Sequence, residues 1–172
     1  MRPHRAAALV LALVSAAPLG AAAQGEVFGT PAPFWAQERR GQVTSRSAAE
    51  HALAFRPFTP EGAQAQAVLL PPFHGSARDR ELVGIGYTYA RRGRTWVLSE
   101  WPRNGGDLTV FAPLAPEPGC ADVHAAGGRE KPRGVVWSTP RGLVFSLTSD
   151  GSANVRAIRA ELRRLVQRGA CR

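Results

Sequence analysis

The motifs of common hydrolases and metalloenzymes are missing from this chain of 172 residues. It contains no Gly-x-Ser-x-Gly, no Ser-x-x-Lys and no His-Glu-x-x-His, the patterns that serve a serine nucleophile or a catalytic zinc. Its two cysteines form no Cys-x-x-Cys pair, so a thioredoxin-like site lacks its second thiol. Its few cysteines and histidines also lack the paired spacing of zinc ligands. We therefore expect a protein that is not an enzyme and has no metal and no cofactor.

Lysine is nearly absent, and Lys131 is the single lysine among the 22 basic residues. The chain has 13 acidic residues, so its net charge is +9. A basic exported protein can meet anionic lipid head groups or nucleic acid. The most arginine-rich stretch, 156–168, has no aromatic residue to stack on bases, which argues against nucleic acid as a partner. A compositional bias toward Arg, Ala, Gly and Pro is the alternative source of this charge. The remaining expectation is a weak contact with an anionic membrane surface.

Long hydrophobic runs are also scarce, and the one present lies at the N-terminus. "AAALVLALVSAAPLG" follows Arg2 and Arg5 and precedes three alanines at 21–23. This pattern predicts a signal peptide over 1–23, cut between Ala23 and Gln24. The apolar run is shorter than the roughly 20 residues of a membrane span, and a retained anchor is the alternative. We expect an exported protein, periplasmic or extracellular.

The two cysteines, Cys120 and Cys171, remain after such cleavage. Outside the cytoplasm thiols tend to be oxidised, which favours a disulfide between them. Cys120 stands before His124 in "GCADVHAAGG", so a nucleophile activated by His124, a metal ligand pair and free thiols are the alternatives. Cys171 lies just past Gly169, where the chain can turn back toward the loop that carries Cys120. We predict a Cys120–Cys171 disulfide, with His124 as a bystander.

The chain divides into a signal peptide at 1–23, an irregular leader at 24–43 and a single domain at 44–172. "TSRSAAEHALAF" predicts a short helix capped by Thr44 or Ser45, with Ser47 and Glu50 at the spacing of a capping box. "AQAVLLPPF" predicts the first strand, which the two prolines end.

Two hairpins are the clearest pattern in the domain. "LVGIGYTYA" and "TWVLSEW" alternate on either side of the turn "RRGR", and "GVVWST" and "GLVFSLTS" flank a second turn at "PRG". "DLTVFAPL" adds a further strand, and a proline-rich loop then leads to Cys120. The fold class we predict is α+β: an antiparallel sheet of about five or six strands, with the short N-terminal helix and a C-terminal helix.

The C-terminal segment "ANVRAIRAELRRLVQRG" predicts an amphipathic helix that begins after Asp150 or Ser152 and stops at Gly169. Its apolar stripe consists of Val155, Ile158, Leu162, Leu165 and Val166. Arginines fill the rest of its circumference. We expect the stripe to pack on the sheet and the arginines to face water; a face for a membrane surface or a partner is the alternative.

This order of elements resembles an uncharacterised exported domain of bacterial envelope proteins, sometimes found on the outer side of anti-sigma factors. The similarity runs over about residues 44–168: "SRSAAEHALAF", then "VGIGYTYARRGRTWVLSEWP", then "GVVWSTPRGLVFSLTSDGS" and the closing helix. The chain is also similar to lipoprotein-localisation and sigma-regulator sheet domains. The resemblance implies a sheet domain without catalytic residues. The proline-rich cysteine loop departs from the anti-sigma arrangement.

Four aromatic residues on the first hairpin are candidate ligand contacts if their sheet faces are open: Tyr87, Tyr89, Trp96 and Trp101. One side of an ordinary core is the alternative. We expect a monomeric, non-enzymatic exported domain that binds an unknown ligand or envelope protein, or has a structural role in the cell envelope.

Two other functions are the alternatives. One is an exported hydrolase with an unrecognised active site, for which His74, Ser76 and Asp79 in "HGSARD" are the scattered candidates. The other is an envelope-stress regulatory domain.

Overall fold

The computed structural model describes residues 41–73, 81–103, 108, 111–126, 133–149 and 153–172. The predicted signal peptide, its cleavage site at Ala23 and Gln24, and most of the leader lie outside these residues. So do His74, Ser76 and Asp79 of the hydrolase alternative.

Strands dominate the described residues, which form one antiparallel sheet and two helices. In chain order the elements are β1 (Gln42–Ser45), α1 (Arg46–His51), β2 (Ala63–Leu70), β3 (Gly84–Arg91), β4 (Arg94–Pro102), β5 (Ala112–Pro113), β6 (Asp122–Ala126), β7 (Gly134–Ser138), β8 (Leu143–Ser149) and α2 (Val155–Gln167). The α+β class is therefore supported at a coarse level. The sheet has eight strands, more than the five or six predicted.

The strand order is β1-β2-β3-β4-β8-β7-β6-β5. Each paired strand is next to its partner along the chain, except in the central pair β4–β8, where Leu98 lies opposite Leu147. The sheet thus consists of two four-stranded meanders joined at β4 and β8.

The turn between β3 and β4 is a two-residue hairpin loop, in which Arg91 pairs with Arg94. The two loop residues, Arg92 and Gly93, have φ angles of 50° and 70°. Positive φ at both positions is the signature of a type I′ turn, whose twist matches that of the strands. Glycine adopts it readily, whereas an arginine there is uncommon.

Helix α1 is shorter than predicted and ends at His51, before Pro57 and Pro60. Ser45 is the N-cap, as one of the two predicted alternatives, and its side chain accepts a hydrogen bond from the Ala48 backbone N–H at 3.2 Å. The predicted capping box is not used, because Glu50 instead accepts hydrogen bonds from Thr59 and Tyr87. Strand β1 includes the last two residues assigned to the leader.

Helix α2 confirms the predicted C-terminal helix, with a different cap. Asn154 accepts a hydrogen bond from the Ala157 backbone N–H at 2.9 Å, so it caps the helix instead of the predicted Asp150 or Ser152. Gly169 follows the helix end with a φ of 108°, the left-handed conformation that ends many helices.

The two helices cover one face of the sheet, which we call the helix-covered face. Its largest side chains are Ile85, Tyr87, Tyr89, Trp96, Leu98, Val123, Val135, Trp137, Phe145 and Leu147. Ile158, Leu162 and Leu165 of α2 are each at most 1% exposed against this face, whereas Val155 of the predicted stripe is 40% exposed. Burial of three such side chains contributes roughly 5 kcal/mol or more to folding.

The opposite face of the sheet has its own apolar cluster, centred on Trp101. The indole Nε1–H donates to the Pro71 carbonyl at 3.0 Å. Gly84 lies directly beneath the ring, since a Cβ there would stand 2.2 Å from Trp101 Cδ1. A side chain at position 84 would therefore displace the indole.

Two strands, β1 and β6, account for the difference in strand number. β1 is only four residues long, whereas β5 is the predicted strand "DLTVFAPL", of which two residues form a strand within the described part. β6 lies where we predicted a loop around the cysteine. Its sequence "DVHAA" has a single β-branched residue, Val123, and is followed by two glycines, but pairing with β7 from Asp122 to Ala126 makes it a strand.

Candidate functional site

The disulfide prediction is confirmed: Cys120 and Cys171 form a bond with their Cα atoms 5.0 Å apart. The bond ties the C-terminus, one turn past α2, to the loop before β6. Both sulfurs are therefore oxidised, and neither is a thiolate nucleophile. In the chain-entropy description, closing a loop of this length stabilises the fold by about 4 kcal/mol.

His124, four residues after Cys120, lies on β6 and is 9% exposed. Its Nδ1 is 3.1 Å from the Phe111 carbonyl oxygen. Ser138 is on the same sheet face, yet its hydroxyl donates to Asp122 at 3.0 Å and not to the imidazole. The three side chains thus do not form a nucleophile–base–acid relay. Within the described ranges, no group of three or more His, Cys, Asp or Glu side chains could hold a metal.

The four aromatic candidates for ligand contact are all in the core. Tyr87 and Tyr89 are 0% exposed, Trp101 is 1% and Trp96 is 3%. The Tyr89 hydroxyl donates to Glu161 at 3.1 Å, and the Tyr87 hydroxyl donates to Glu50 at 3.1 Å. Burial raises the pKa of both phenols, and the charge of the nearby carboxylate raises it further. Their ring faces are closed, and only Trp96 reaches the wall of a cleft.

That cleft lies between the β3–β4 turn and α2 and has a volume of about 460 Å³. Its lining includes five arginines: Arg91, Arg92 and Arg94 from the hairpin, and Arg163 and Arg164 from the helix. Trp96, Ala157, Ala160, Glu161 and Gln167 complete the wall. We call this the arginine cleft.

The local sequence explains why these side chains converge. Alternation along the strands places Arg91 and Arg94 on the same face as Tyr89 and Trp96, toward α2. On the helix, Ala157, Glu161 and Arg164 follow one another at spacings of four and three residues and therefore share one side. The run "RRGR" at the turn brings the remaining hairpin arginine to the same end.

Glu161 is the centre of the helix side of the cleft and is 6% exposed. Arg164 donates to it from Nη2 at 2.6 Å and from Nε at 2.9 Å. Arg91 Nε lies 3.3 Å from its other oxygen. Burial lowers the pKa of Arg164, but the hydrogen bonds and charge of Glu161 outweigh that effect, so the pKa is raised overall. The buried carboxylate is thus fully partnered.

Two further carboxylates neutralise the rim of the helix side. Glu61 Oε2 lies 2.9 Å from Arg168, 3.7 Å from Arg164 and 4.0 Å from Arg91. Glu117 pairs with Arg163 at 3.1 Å.

The hairpin side is different. Arg92 and Arg94 have no acidic partner among the described residues, and the buried Nε of Arg94 has no hydrogen-bond partner there. Excess positive charge therefore collects at the hairpin.

A second buried carboxyl, Glu100, lies away from the cleft on the helix-covered face and is 1% exposed. Its Oε2 accepts a hydrogen bond from the Phe58 backbone N–H at 2.8 Å, while Oε1 has no partner in the described part of the chain. Burial raises the pKa of Glu100 to about 8, against a smaller lowering by the Phe58 hydrogen bond.

The sequence analysis missed both features. Glu100 follows Trp96 and Leu98 in the same alternation, which was a signal that its side chain points into the core. No pattern in the sequence indicated the cleft. Its arginines lie in two separate segments, one typical of a polar turn and the other of the solvent-exposed face of a helix. Only the packing of α2 beside the hairpin brings them together.

Comparison with protein-family models, with curated proteins and with solved structures finds no match to this chain. Neither helix in the described ranges is long and apolar enough to span a membrane. Fold and site together define a disulfide-linked α+β sheet domain with a basic cleft.

Proposed function

We propose that this protein is a non-enzymatic binding domain, exported to the periplasm or the cell exterior, and that it binds an anionic ligand in the arginine cleft. The observation that carries the proposal is the concentration of five arginines in one concavity, two of them without a carboxylate partner among the described residues. Surface arginines usually separate from one another or pair with acids, so an uncompensated group is costly unless it meets an anion.

The size and shape of the cleft support this proposal. Its volume of about 460 Å³ falls within the usual range of small-ligand sites. The guanidinium group presents several N–H donors in a planar fork that matches carboxylate and phosphate oxygens. Three of the arginines lie on a hairpin and two on a helix, so the elements that hold them are regular.

The lining also supports binding over catalysis. Arg, Ala, Trp and Gln side chains supply no nucleophile, and the one carboxylate, Glu161, is already held by Arg164, Arg91 and Tyr89. Its Oε1 accepts three hydrogen bonds and its Oε2 lies 3.3 Å from Arg91 Nε, so both oxygens are already engaged by groups of the protein. No contact among the described residues favours an exported hydrolase or an envelope-stress regulatory domain.

The proposed location rests on the disulfide and the N-terminal sequence. Stable disulfides are typical of oxidising compartments outside the cytoplasm, and the Cys120–Cys171 bond is compatible with export.

A charge placed in the cleft tests the proposal without altering the core. Ala160 is exposed and lines the cleft, so Ala160→Glu adds a carboxylate beside the arginines. Ala48→Glu is the matched control, because Ala48 is an exposed helical alanine on α1 and the change in net charge is the same. Inorganic pyrophosphate, titrated calorimetrically at low ionic strength, is the probe.

We expect binding by the wild type and by Ala48→Glu within twofold, and a loss of about tenfold or more in Ala160→Glu, since like charges in contact cost several kcal/mol. Equal losses in the two variants would show a general effect of net charge and no site.

A further inference from the structure

The arginines of the arginine cleft differ in whether nearby carboxylates neutralise their charge. Arg163 and Arg164 of the helix, and Arg91 of the hairpin, pair with Glu117, Glu161 and Glu61. On the hairpin side, Arg92 and Arg94 have no carboxylate partner in the described ranges. An incoming anion gains little where carboxylates already occupy the guanidinium groups, and most where they do not. Its charged group therefore belongs at the hairpin.

The backbone at Arg92 supports the same assignment. Its φ of 50° lies in the left-handed region, and it is the one described residue other than glycine with a positive φ. Type I′ turns favour Asn, Asp or Gly at this position, so arginine is a poor choice for folding alone. Strained backbone of this kind occurs often at ligand sites, where a side chain must be presented in a particular direction.

The charge and size of the cleft indicate the ligand class. Two unpartnered guanidinium groups match the charge of a phosphate monoester, which is close to −2 near neutral pH. A phosphate alone would leave most of a cleft of about 460 Å³ unfilled. The rest of the wall includes Ala157, Ala160 and the edge of Trp96, which suits an uncharged organic portion.

We propose that the ligand is a phosphorylated organic molecule whose phosphate group is bound by Arg92 and Arg94, with its organic portion over Ala157 and Ala160. This inference rests on the proposed function, and it adds the class of ligand and the residues that select it. The phosphate can belong to a soluble metabolite or to a lipid head group.

Arg92→Asn separates binding from folding, because asparagine tolerates a positive φ and removes the guanidinium. We expect the affinity for glycerol 3-phosphate, measured by calorimetry, to fall about tenfold or more, because charge-assisted hydrogen bonds to the phosphate are lost. The melting temperature should rise by about 2–4 °C. Arg94→Gln should weaken binding similarly without raising the melting temperature.

Arg141→Asn is the matched control, since Arg141 is an exposed arginine in the other hairpin turn and has no positive φ. It should change neither quantity. Sedimentation with vesicles that contain phosphatidic acid, a lipid with a phosphate monoester, is the second arm. Binding to vesicles alone, lost in Arg92→Asn, identifies a lipid head group, and binding to glycerol 3-phosphate identifies a soluble ligand.

Three outcomes overturn the inference. One is anion binding that Ala160→Glu abolishes but Arg92→Asn and Arg94→Gln leave within twofold, which would keep the proposed function and reject the hairpin subsite. Another is pyrophosphate binding without binding to either phosphate source. A third is a lower melting temperature in Arg92→Asn, which would mean that the arginine at this turn serves folding. Absence of any anion binding by the wild type would reject the proposed function itself.

Discussion

Glu161 and Glu100 are both buried carboxyl groups on the helix-covered side of the sheet, 6% and 1% exposed. Glu161 is surrounded by donors: Arg164, Arg91 and the Tyr89 hydroxyl. Glu100 receives a single backbone N–H, and its second oxygen has no partner in the described part of the chain. Burial of a carboxylate is tolerated when cations compensate it, and otherwise the group retains its proton. One glutamate therefore organises the arginine cleft, while the other responds to pH.

Removing the partnered glutamate should have the largest effect. Glu161→Ala leaves the guanidinium of Arg164, whose side chain is 12% exposed, without its bidentate partner. Breaking a buried pair in this way costs about 3–5 kcal/mol of unfolding free energy. Glu61→Ala is the control, because Glu61 is 56% exposed and its nearest partner, Arg168, is 54% exposed, so its loss should cost about 1 kcal/mol or less. Urea titration measures both. Similar small losses would mean that Glu161 is no more important than a surface pair.

Glu100→Gln should have a somewhat smaller effect, and one that depends on pH. The pKa of Glu100 is raised to about 8 in the folded protein, from 4.5. The folded state thus holds the proton more tightly, so the stabilisation is fully present below pH 4.5 and is lost as the pH rises through about 8.

Glutamine keeps the acceptor for the Phe58 N–H and cannot ionise. We therefore expect Glu100→Gln and the wild type to have similar stability at pH 5, and the variant to be more stable by on the order of 3 kcal/mol at pH 9. Denaturant titrations at the two pH values provide the measurement. A constant difference across that range would contradict an unpartnered carboxyl.

The two tyrosines that donate to carboxylates should show the smallest difference. Tyr89→Phe removes a buried donor from Glu161, and Tyr87→Phe removes a donor from Glu50, whose side chain is 30% exposed. We expect a cost of about 1–2 kcal/mol for Tyr89→Phe and about 0.5 kcal/mol for Tyr87→Phe, since a hydrogen bond to a charged group is worth more where water is excluded. Thermal unfolding would resolve the order of the two. A larger cost for Tyr87→Phe than for Tyr89→Phe would mean that the hydroxyl bound to Glu50 stabilises the fold more than the one bound to Glu161.

The elements that could be predicted from the sequence are those whose hydrophobic pattern matches the burial of their residues in the fold. The two hairpins alternate cleanly, and α2 has an apolar period and a terminal glycine, so both were recognised. Strand β6 was missed because its small residues are held by pairing with β7, a contact remote in sequence. The disulfide was predicted because the chain has two cysteines and an apparent export signal.

The site was less predictable because its determinants are tertiary. Tyr87, Tyr89, Trp96 and Trp101 were plausible contacts on an open sheet, but helices and loops bury them. The cleft combines a turn and a helix that lie more than 60 residues apart along the chain. No periodicity in either segment indicates that the other will face it.

The join between β4 and β8 has a consequence for the order of folding. Each meander can form through contacts close in sequence, whereas this central pair joins strands about 40 residues apart and so carries the larger loop-closure cost. The Cys120–Cys171 bond encloses β6, β7, β8 and α2 within one covalent loop. The bond therefore limits how far these elements can separate from one another, while β4 lies outside the loop. Reduction would loosen the second meander and α2 but would barely change the length of chain that connects β4 to β8, so we expect oxidation to assist the meander more than the central pair.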